Sequence, residues 1–400
     1  MPRHRIGAIL LLAAIAAFLC LRAPEWTPTV LNKPGHEISN STLGFQHIFA
    51  INLPSRTDRR DALVLAAALS GLDITWANGV SGIEVHDRVL PGDPSVSREI
   101  NFGKRGSWRA HMNVLQRIVD ENITSALILE DDADWDVRLK SQMQVFALAA
   151  RAFTQPSSNG RSVAEQFRDP PGQELPLSQL PQRTRRPRLT PYGDDWDVLW
   201  LGHCGSDFPE PTRGTPTSSF RVTIQNDETV PPPEHLRPHP FALQDTLSKT
   251  YPPHTRVVHA ASRTVCTQAY AVSQKGARKL LWQFGLQTLT TGWDLMLRDW
   301  CDGMYDSSWD TDTDADVGPE VPDDDRPRAP LCVTSQPPLF SHHYGKGAAS
   351  DITAPGGGFV NKKKEMTPYI RRSVRLNMER LINGQEAVDQ WKTESESSSP

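Results

Sequence analysis

Three consecutive carboxylates, Glu130-Asp131-Asp132, follow directly on the apolar run Ala126, Leu127, Ile128 and Leu129. A short unbroken apolar run of this kind reads as a strand buried on both faces, which puts the acids at its carboxyl end. In open α/β sheets that is the end where ligands bind. Like charges gathered away from water are costly unless a cation compensates them. Hard oxygen ligands suit Mn²⁺ or Mg²⁺, and such an ion can bridge a diphosphate. Asp131 and Asp132 are therefore candidate metal ligands, with Glu130 ligating or orienting. The plainer alternative is a solvated acidic turn or a helix cap, and the triplet alone leaves both open.

Four other clusters could join the acids. The stretch from Asn52 through Ser55, Arg56, Asp58 and Arg59 to Arg60 connects a strand end to a helix start, where backbone amides and arginines suit a nucleotide diphosphate. Solvated arginines at a helix entry are the ordinary alternative. Gly103 to His111 reads as a glycine-punctuated turn leading into the helix before the acids; His111 could equally be a satisfied core histidine. Gly292-Trp293-Asp294 puts a carboxylate near a helix start, where it could be only an N-cap. Ser341-His342-His343 offers imidazoles that could reach a metal or phosphate, and His342 is taken as a third metal candidate. By contrast, Asp310, Asp312, Asp314 and Asp316 imitate the start of a calcium loop. Ala315 stands where the loop requires glycine and Val321 where it requires glutamate, so the run reads as a solvated acidic insertion.

The elements that must position these groups alternate. Residues 48–53 read as a strand, and Ser55 and Asp58 have capping-box spacing before a helix over 61–69. Gly71 closes that helix, and a short strand follows at 74–77. Met112, Leu115, Ile118 and Val119 mark a second helix, followed by the strand at 126–129. Further strands are expected at 197–202 and 269–272, the latter followed by a helix through Ala277, Leu280 and Leu281. A last helix is expected through Ile370, Val374, Met378 and Leu381. This βαβ pattern predicts an α/β fold: a mostly parallel sheet with helices on both faces. Residues 154–192 and 207–256 are Pro-rich and 306–330 are strongly acidic, so all three read as long insertions.

With 400 residues the chain can bury a full core, and a net charge of −4 argues against a nucleic-acid binder. Arg3, His4 and Arg5 precede an apolar run at 6–21, and Arg22 follows. Arg22 spoils a small-residue cleavage site, so a short signal anchor over 1–22 is favoured over a cleaved signal peptide. That gives a single-pass type II membrane protein of the Golgi or endoplasmic reticulum. A stem follows over 23–44, then a lumenal catalytic domain over 45–384 and a disordered tail over 385–400. The sequons at Asn40 and Asn122 agree with this, as do four cysteines beyond Cys20. An even count suggests two disulfides. Because the insertions lie between the members of each pair, Cys204 is expected to pair with Cys266 and Cys301 with Cys332.

Taken in order, the segments 48–60, 103–111, 126–132, 197–202, 269–281, 292–294 and 338–352 resemble glycosyltransferase family 25, the lipooligosaccharide and procollagen galactosyltransferases. The chain departs from the family at Ser107, near which a cysteine is usual, and at Ala110, near which a serine is usual; His111 is kept. The resemblance implies a GT-A type fold. It also implies a UDP-sugar donor (galactose most often), Mn²⁺, inversion at the anomeric carbon, and a glycan or glycoprotein acceptor. Under it, Asn52, Arg56, Arg59, His111 and Glu130 are expected at the donor, Asp131, Asp132 and His342 at the metal, and Asp294 as the catalytic base. Two rival functions are kept. One is a non-catalytic carbohydrate-binding relative, which retention of the whole acidic run opposes. The other is a metal-dependent phosphohydrolase, which would need a further ligand cluster.

Overall fold

The computed structural model describes residues 38–167, 172–181, 184–210, 218–236, 246–305, 330–345, 351–352 and 364–391. The expected anchor, most of the stem, the acidic run 310–316 and Ser350 lie outside these residues. Among the described residues no helix is long and apolar enough to cross a membrane.

Among the described residues, eleven strands form one sheet. In chain order they are β1 (His47–Asn52), β2 (Thr75–Asn78), β3 (Ser125–Glu130), β4 (Ala133–Trp135), β5 (Glu174–Pro176), β6 (Val198–Gly202), β7 (Arg221–Ile224), β8 (Arg256–Ala260), β9 (Ala269–Ser273), β10 (Cys332–Gln336) and β11 (Phe340–His342). The main path runs β2-β1-β3-β9-β6-β10-β8-β7-β5. Most of its strands point one way; β9 and β8 run against their neighbours. The sheet is therefore mixed with a parallel majority, as the sequence predicts. The longer helices are α1 (Thr57–Ser70), α2 (Phe102–Asp120), α3 (Leu139–Thr154), α4 (Gln274–Trp282) and α5 (Trp293–Cys301).

β3 explains why its apolar run is continuous. Leu127 and Leu129 pack with Leu63 and Ala66 of α1 and with Met143 and Phe146 of α3. Ala126 and Ile128 face the other layer, with Met112, Leu115 and Ile118 of α2, Leu280 of α4 and Met296 of α5. Alternate residues of one strand thus feed two cores, one on each face.

The two expected disulfides are both formed, Cys204–Cys266 and Cys301–Cys332. Gly71 ends α1 in the left-handed conformation at φ 60°, as expected. Other expectations need correction. α1 starts at Thr57, and no side chain caps it, so Ser55 is not its N-cap. Residues 103–111 are not a turn but the first half of α2, capped by the Asn101 side chain on Lys104 N at 2.9 Å. The last helix is only Met378–Ile382, preceded by a tight turn over Arg375–Asn377; Ile370 and Val374 lie outside both. There the backbone is claimed by other partners, Val374 N by Trp135 O and Arg372 N by Asp136 Oδ2, both at 2.9 Å. The two Pro-rich stretches are not loops alone, since they supply β5 and β7 to the sheet edge. Ile38 and Leu43, assigned to the stem, are fully buried. Residues 385–391, assigned to a disordered tail, are anchored by the Asp389–Arg371 ion pair at 2.6 Å and by Gln390 Nε2 on Thr367 O at 2.8 Å.

Candidate active site

Strand order decides where a ligand can bind. From β1 the chain steps to β2 on one side, then crosses to β3 on the other. α1 covers one face after β1, and α2 covers the other after β2. The crevice between β1 and β3, at their carboxyl ends, is a topological switch point. Asn52 ends β1 and Glu130 ends β3, with Asp131 and Asp132 immediately beyond.

A cavity of about 360 Å³ opens there. Glu130, Asp131, Asp132, Arg59, Ser55 and His111 line it. Ser107 and Ala110 line it as well. Its helix-side wall depends on two glycines of α2. A Cβ on Gly106 would come within 2.4 Å of Val80 O, and one on Gly103 within 2.5 Å of Ile352 O. The glycines that look like helix breakers therefore let neighbouring backbone close against the helix.

The acids are tightly held. Asp131 is 7% exposed; its Oδ2 accepts from Asn52 Nδ2 at 2.8 Å and its Oδ1 from Arg59 Nη1 at 2.7 Å. The same Nη1 lies 3.0 Å from Asp132 Oδ2. β11 pairs antiparallel with β4, setting His342 opposite Ala133, and His342 Nε2 lies 3.8 Å from Asp132 Oδ2. Burial and the neighbouring Asp132 charge push Asp131 above the usual carboxylate range, against the pull of Arg59 and Asn52. Burial would raise Asp132 too, but His342, Arg59 and Arg375 together hold it below that range. Arg375, which no local sequence signal marks, donates to Asp131 O at 2.7 Å and Ala133 O at 3.0 Å beneath the acids.

Glu130 has a different environment. Thr267 Oγ1 donates to its Oε1 at 2.6 Å, and His111 Nε2 is 3.7 Å from the same oxygen. His111 is buried; its Nδ1 shares a 2.9 Å hydrogen bond with Tyr270 Oη, and its ring stacks on Trp293 at 5.0 Å. Asp294 does not line the cavity. It accepts from Cys266 N at 3.1 Å, and burial, then the nearby Glu130 charge, raise it above the usual range. Arg56 is also outside the lining, held by Asp58 at 2.8 Å and by Asp351. Thus Arg59, His111, Glu130, Asp131 and Asp132 line the cavity, Asn52 and His342 reach the acids from outside the lining, and Arg56 and Asp294 stand outside it without touching Asp131 or Asp132. His343 turns instead toward Asp134, a buried carboxylate occupied by Thr367 Oγ1 at 2.6 Å and by Ser373.

Among the described residues no three His, Cys, Asp or Glu side chains are gathered as a ready metal cage. The donor set is nonetheless right in kind. Two carboxylates and an imidazole offer hard oxygen and nitrogen ligands. Asp132 Oδ1 is buried without a hydrogen-bond partner among the described residues, and so is Asn52 Oδ1. Buried acceptors are rarely left so, and Asp132 Oδ1 is spare capacity for a cation.

The family model of "Glycosyltransferase family 25 (LPS biosynthesis protein)" matches residues 45–184. That stretch carries β1, α1, β2, α2, β3 and all three acids. Residues 45–184 are thus similar to glycosyltransferase family 25. The match takes in every residue lining the cavity except Asp351 and Ile352, and it ends before Asp294 and His342. A "Glycosyltransferase 25 family member" of Anopheles gambiae is 34% identical over 106 residues, 24% of this chain and 18% of that protein. "Procollagen galactosyltransferase 1" of Danio rerio is 30% identical over 112 residues, 26% of this chain and 18% of that protein. A Bos taurus relative, "Probable inactive glycosyltransferase 25 family member 3", is 23% identical over 131 residues, 30% of this chain and 22% of that protein. The chain therefore matches less than a quarter of the length of these family 25 relatives.

Proposed function

We propose that this chain transfers a sugar from a UDP-sugar to a hydroxyl of a glycan or glycoprotein, with Mn²⁺ or Mg²⁺ and with inversion at the anomeric carbon. Galactose is the sugar suggested by the procollagen galactosyltransferases it is similar to. The observation that carries this reading is the cavity at the switch point, walled by Glu130, Asp131, Asp132 and Arg59. Its volume suits a ligand of nucleotide size. Asp131, Asp132 and His342 are the residues that would hold the metal ion. Bound there, the ion would neutralise charge on the diphosphate as it leaves.

In this reading the acceptor oxygen bonds to the anomeric carbon while the bond from that carbon to the diphosphate oxygen breaks. The acceptor proton passes to a carboxylate. We assign that role to Glu130, because it is on the cavity wall and Asp294 is not. Thr267 orients Glu130 through one oxygen, which leaves the other for the proton. The two disulfides and the sequons support a lumenal setting.

A non-catalytic role has one observation in its favour: Arg59 already neutralises Asp131 and Asp132. UDP release from UDP-galactose and other UDP-sugars, with Mn²⁺ and candidate acceptors, separates the two. Turnover is expected, and Asp132→Asn should lower it at least about a hundredfold while the protein still melts cooperatively. Binding of UDP with no turnover on any donor would leave the non-catalytic reading standing. Phosphate release without sugar transfer would favour a phosphohydrolase.

A further inference from the structure

One guanidinium spans the carboxylate pair. Arg59 Nη1 reaches Asp131 Oδ1 at 2.7 Å and Asp132 Oδ2 at 3.0 Å, and the side chain is only 17% exposed. Asn52 takes Asp131 Oδ2 at 2.8 Å. Three of the four carboxylate oxygens are thus engaged, and Asp132 Oδ1 is left. A divalent ion ligated by both acids can take Asp132 Oδ1, but on Asp131 it must share an oxygen already held by Arg59 or Asn52, and it would lie beside the Arg59 guanidinium. Two positive centres a few ångströms apart in a partly desolvated crevice repel strongly. Arg59 and the ion therefore compete for the same pair.

Arg59 also has somewhere to go. It stands in the first turn of α1, beside Ser55 on the cavity wall, where the start of the helix favours an anion. A guanidinium binds phosphate oxygens as readily as carboxylates. Arg56, by contrast, is held outside the lining by Asp58 and Asp351.

We propose, building on the nucleotide-sugar reading, that Arg59 is an exchangeable counter-cation. Without ligand it holds Asp131 and Asp132. When donor and metal bind together, the metal takes the acids and the diphosphate takes Arg59. Divalent cation and nucleoside diphosphate therefore bind with positive coupling, each tightening the other by the same factor.

The test is titration of the purified chain with Mn²⁺, with and without UDP, read by electron spin resonance of free Mn²⁺ and by calorimetry. In the unmodified chain UDP should tighten Mn²⁺ about tenfold or more. In Arg59→Gln, Mn²⁺ alone should bind about tenfold tighter, and the UDP effect should shrink several-fold. Arg59→Lys, whose single ammonium matches the pair less well, should fall between them. If Arg59→Gln is less stable, Mn²⁺ should raise its melting temperature more than it raises that of the unmodified chain. An unchanged Mn²⁺ affinity in Arg59→Gln, or undiminished coupling to UDP, overturns the proposal. Intact coupling with no sugar transfer would defeat the transferase reading alone. Independent binding of Mn²⁺ and UDP in an active enzyme would defeat the Arg59 exchange alone.

Discussion

At the scale of residues, two carboxylates near one another have unlike surroundings. Glu130 faces the cavity and is oriented by Thr267, whereas Asp294 is buried behind it and fixed by Cys266 N. A general base typically contributes between a hundredfold and ten-thousandfold. Glu130→Gln should therefore lose at least about a hundredfold in transfer, and Asp294→Asn less than about tenfold. The pKa of Asp294 is raised by burial and by the Glu130 charge, and this sets the sign of its effect on stability. A carboxyl whose folded pKa is raised stabilises the fold while protonated in both states, and that contribution is lost as pH rises through the folded value. Asp294→Asn removes the loss, so it should melt above the unmodified chain at neutral pH, with the difference shrinking toward acid. Melting curves and UDP release across pH check both points. Loss of transfer in Asp294→Asn with activity kept in Glu130→Gln would return the base to Asp294.

Among elements, α2 serves both the cavity and the core. It lines the cavity with Gly103, Gly106, Ser107, Ala110 and His111, and it buries Met112, Leu115 and Ile118 in the core. Gly106→Ala puts a methyl within 2.4 Å of Val80 O and 2.9 Å of Gly82 N, both backbone atoms that cannot swing away. The expected cost is about 1–3 kcal/mol of stability with weakened UDP binding, measured by denaturant unfolding and calorimetry. A neutral Gly106→Ala would mean that the loop over 80–82 yields. The same helix shows what sequence can and cannot reveal. Strands β1, β3, β6 and β9 and the core face of α2 were legible, because long apolar runs and helical spacing are local signals. The start of α2 is not legible in the sequence, since glycine disfavours a helix unless close packing demands it, and close packing is a tertiary fact. β5 and β7 were hidden for a similar reason: both are short and lie in Pro-rich chain, and sheet pairing alone defines them. In the site, the acids, Arg59 and His111 could be found from motifs. Thr267 and Arg375 could not, because each acts on Glu130 or Asp131 across a long stretch of chain.

For the whole molecule, the two disulfides brace different parts of one sheet, and they should fail differently. Cys301–Cys332 joins the end of α5 to the start of β10, closing a sequence separation of 31. None of the cavity-lining residues lies near either end in sequence. Cys204–Cys266 closes a separation of 62 between the end of β6 and the approach to β9. Beyond Cys266 come Thr267, which orients Glu130, and Gln268, whose carbonyl accepts from Glu130 N at 3.0 Å. Cys266 N also holds Asp294. Loop-closure entropy gives each crosslink about 4 kcal/mol as an upper value, differing by only about 0.6 kcal/mol between them. Stability alone would thus hardly distinguish the two. Activity should distinguish them. Cys301→Ser with Cys332→Ser is expected to lower the melting temperature yet keep transfer near normal at temperatures where the variant stays folded. Cys204→Ser with Cys266→Ser is expected to lose similar stability and also most of its transfer, because the backbone that aims Glu130 is no longer tied to β6. UDP release measured well below each variant's melting temperature decides it. If the Cys204–Cys266 variant were folded and fully active, Glu130 would have to be held by β3 and its pairing with β9 alone, and the crosslink would be a staple for the sheet with no part in the site.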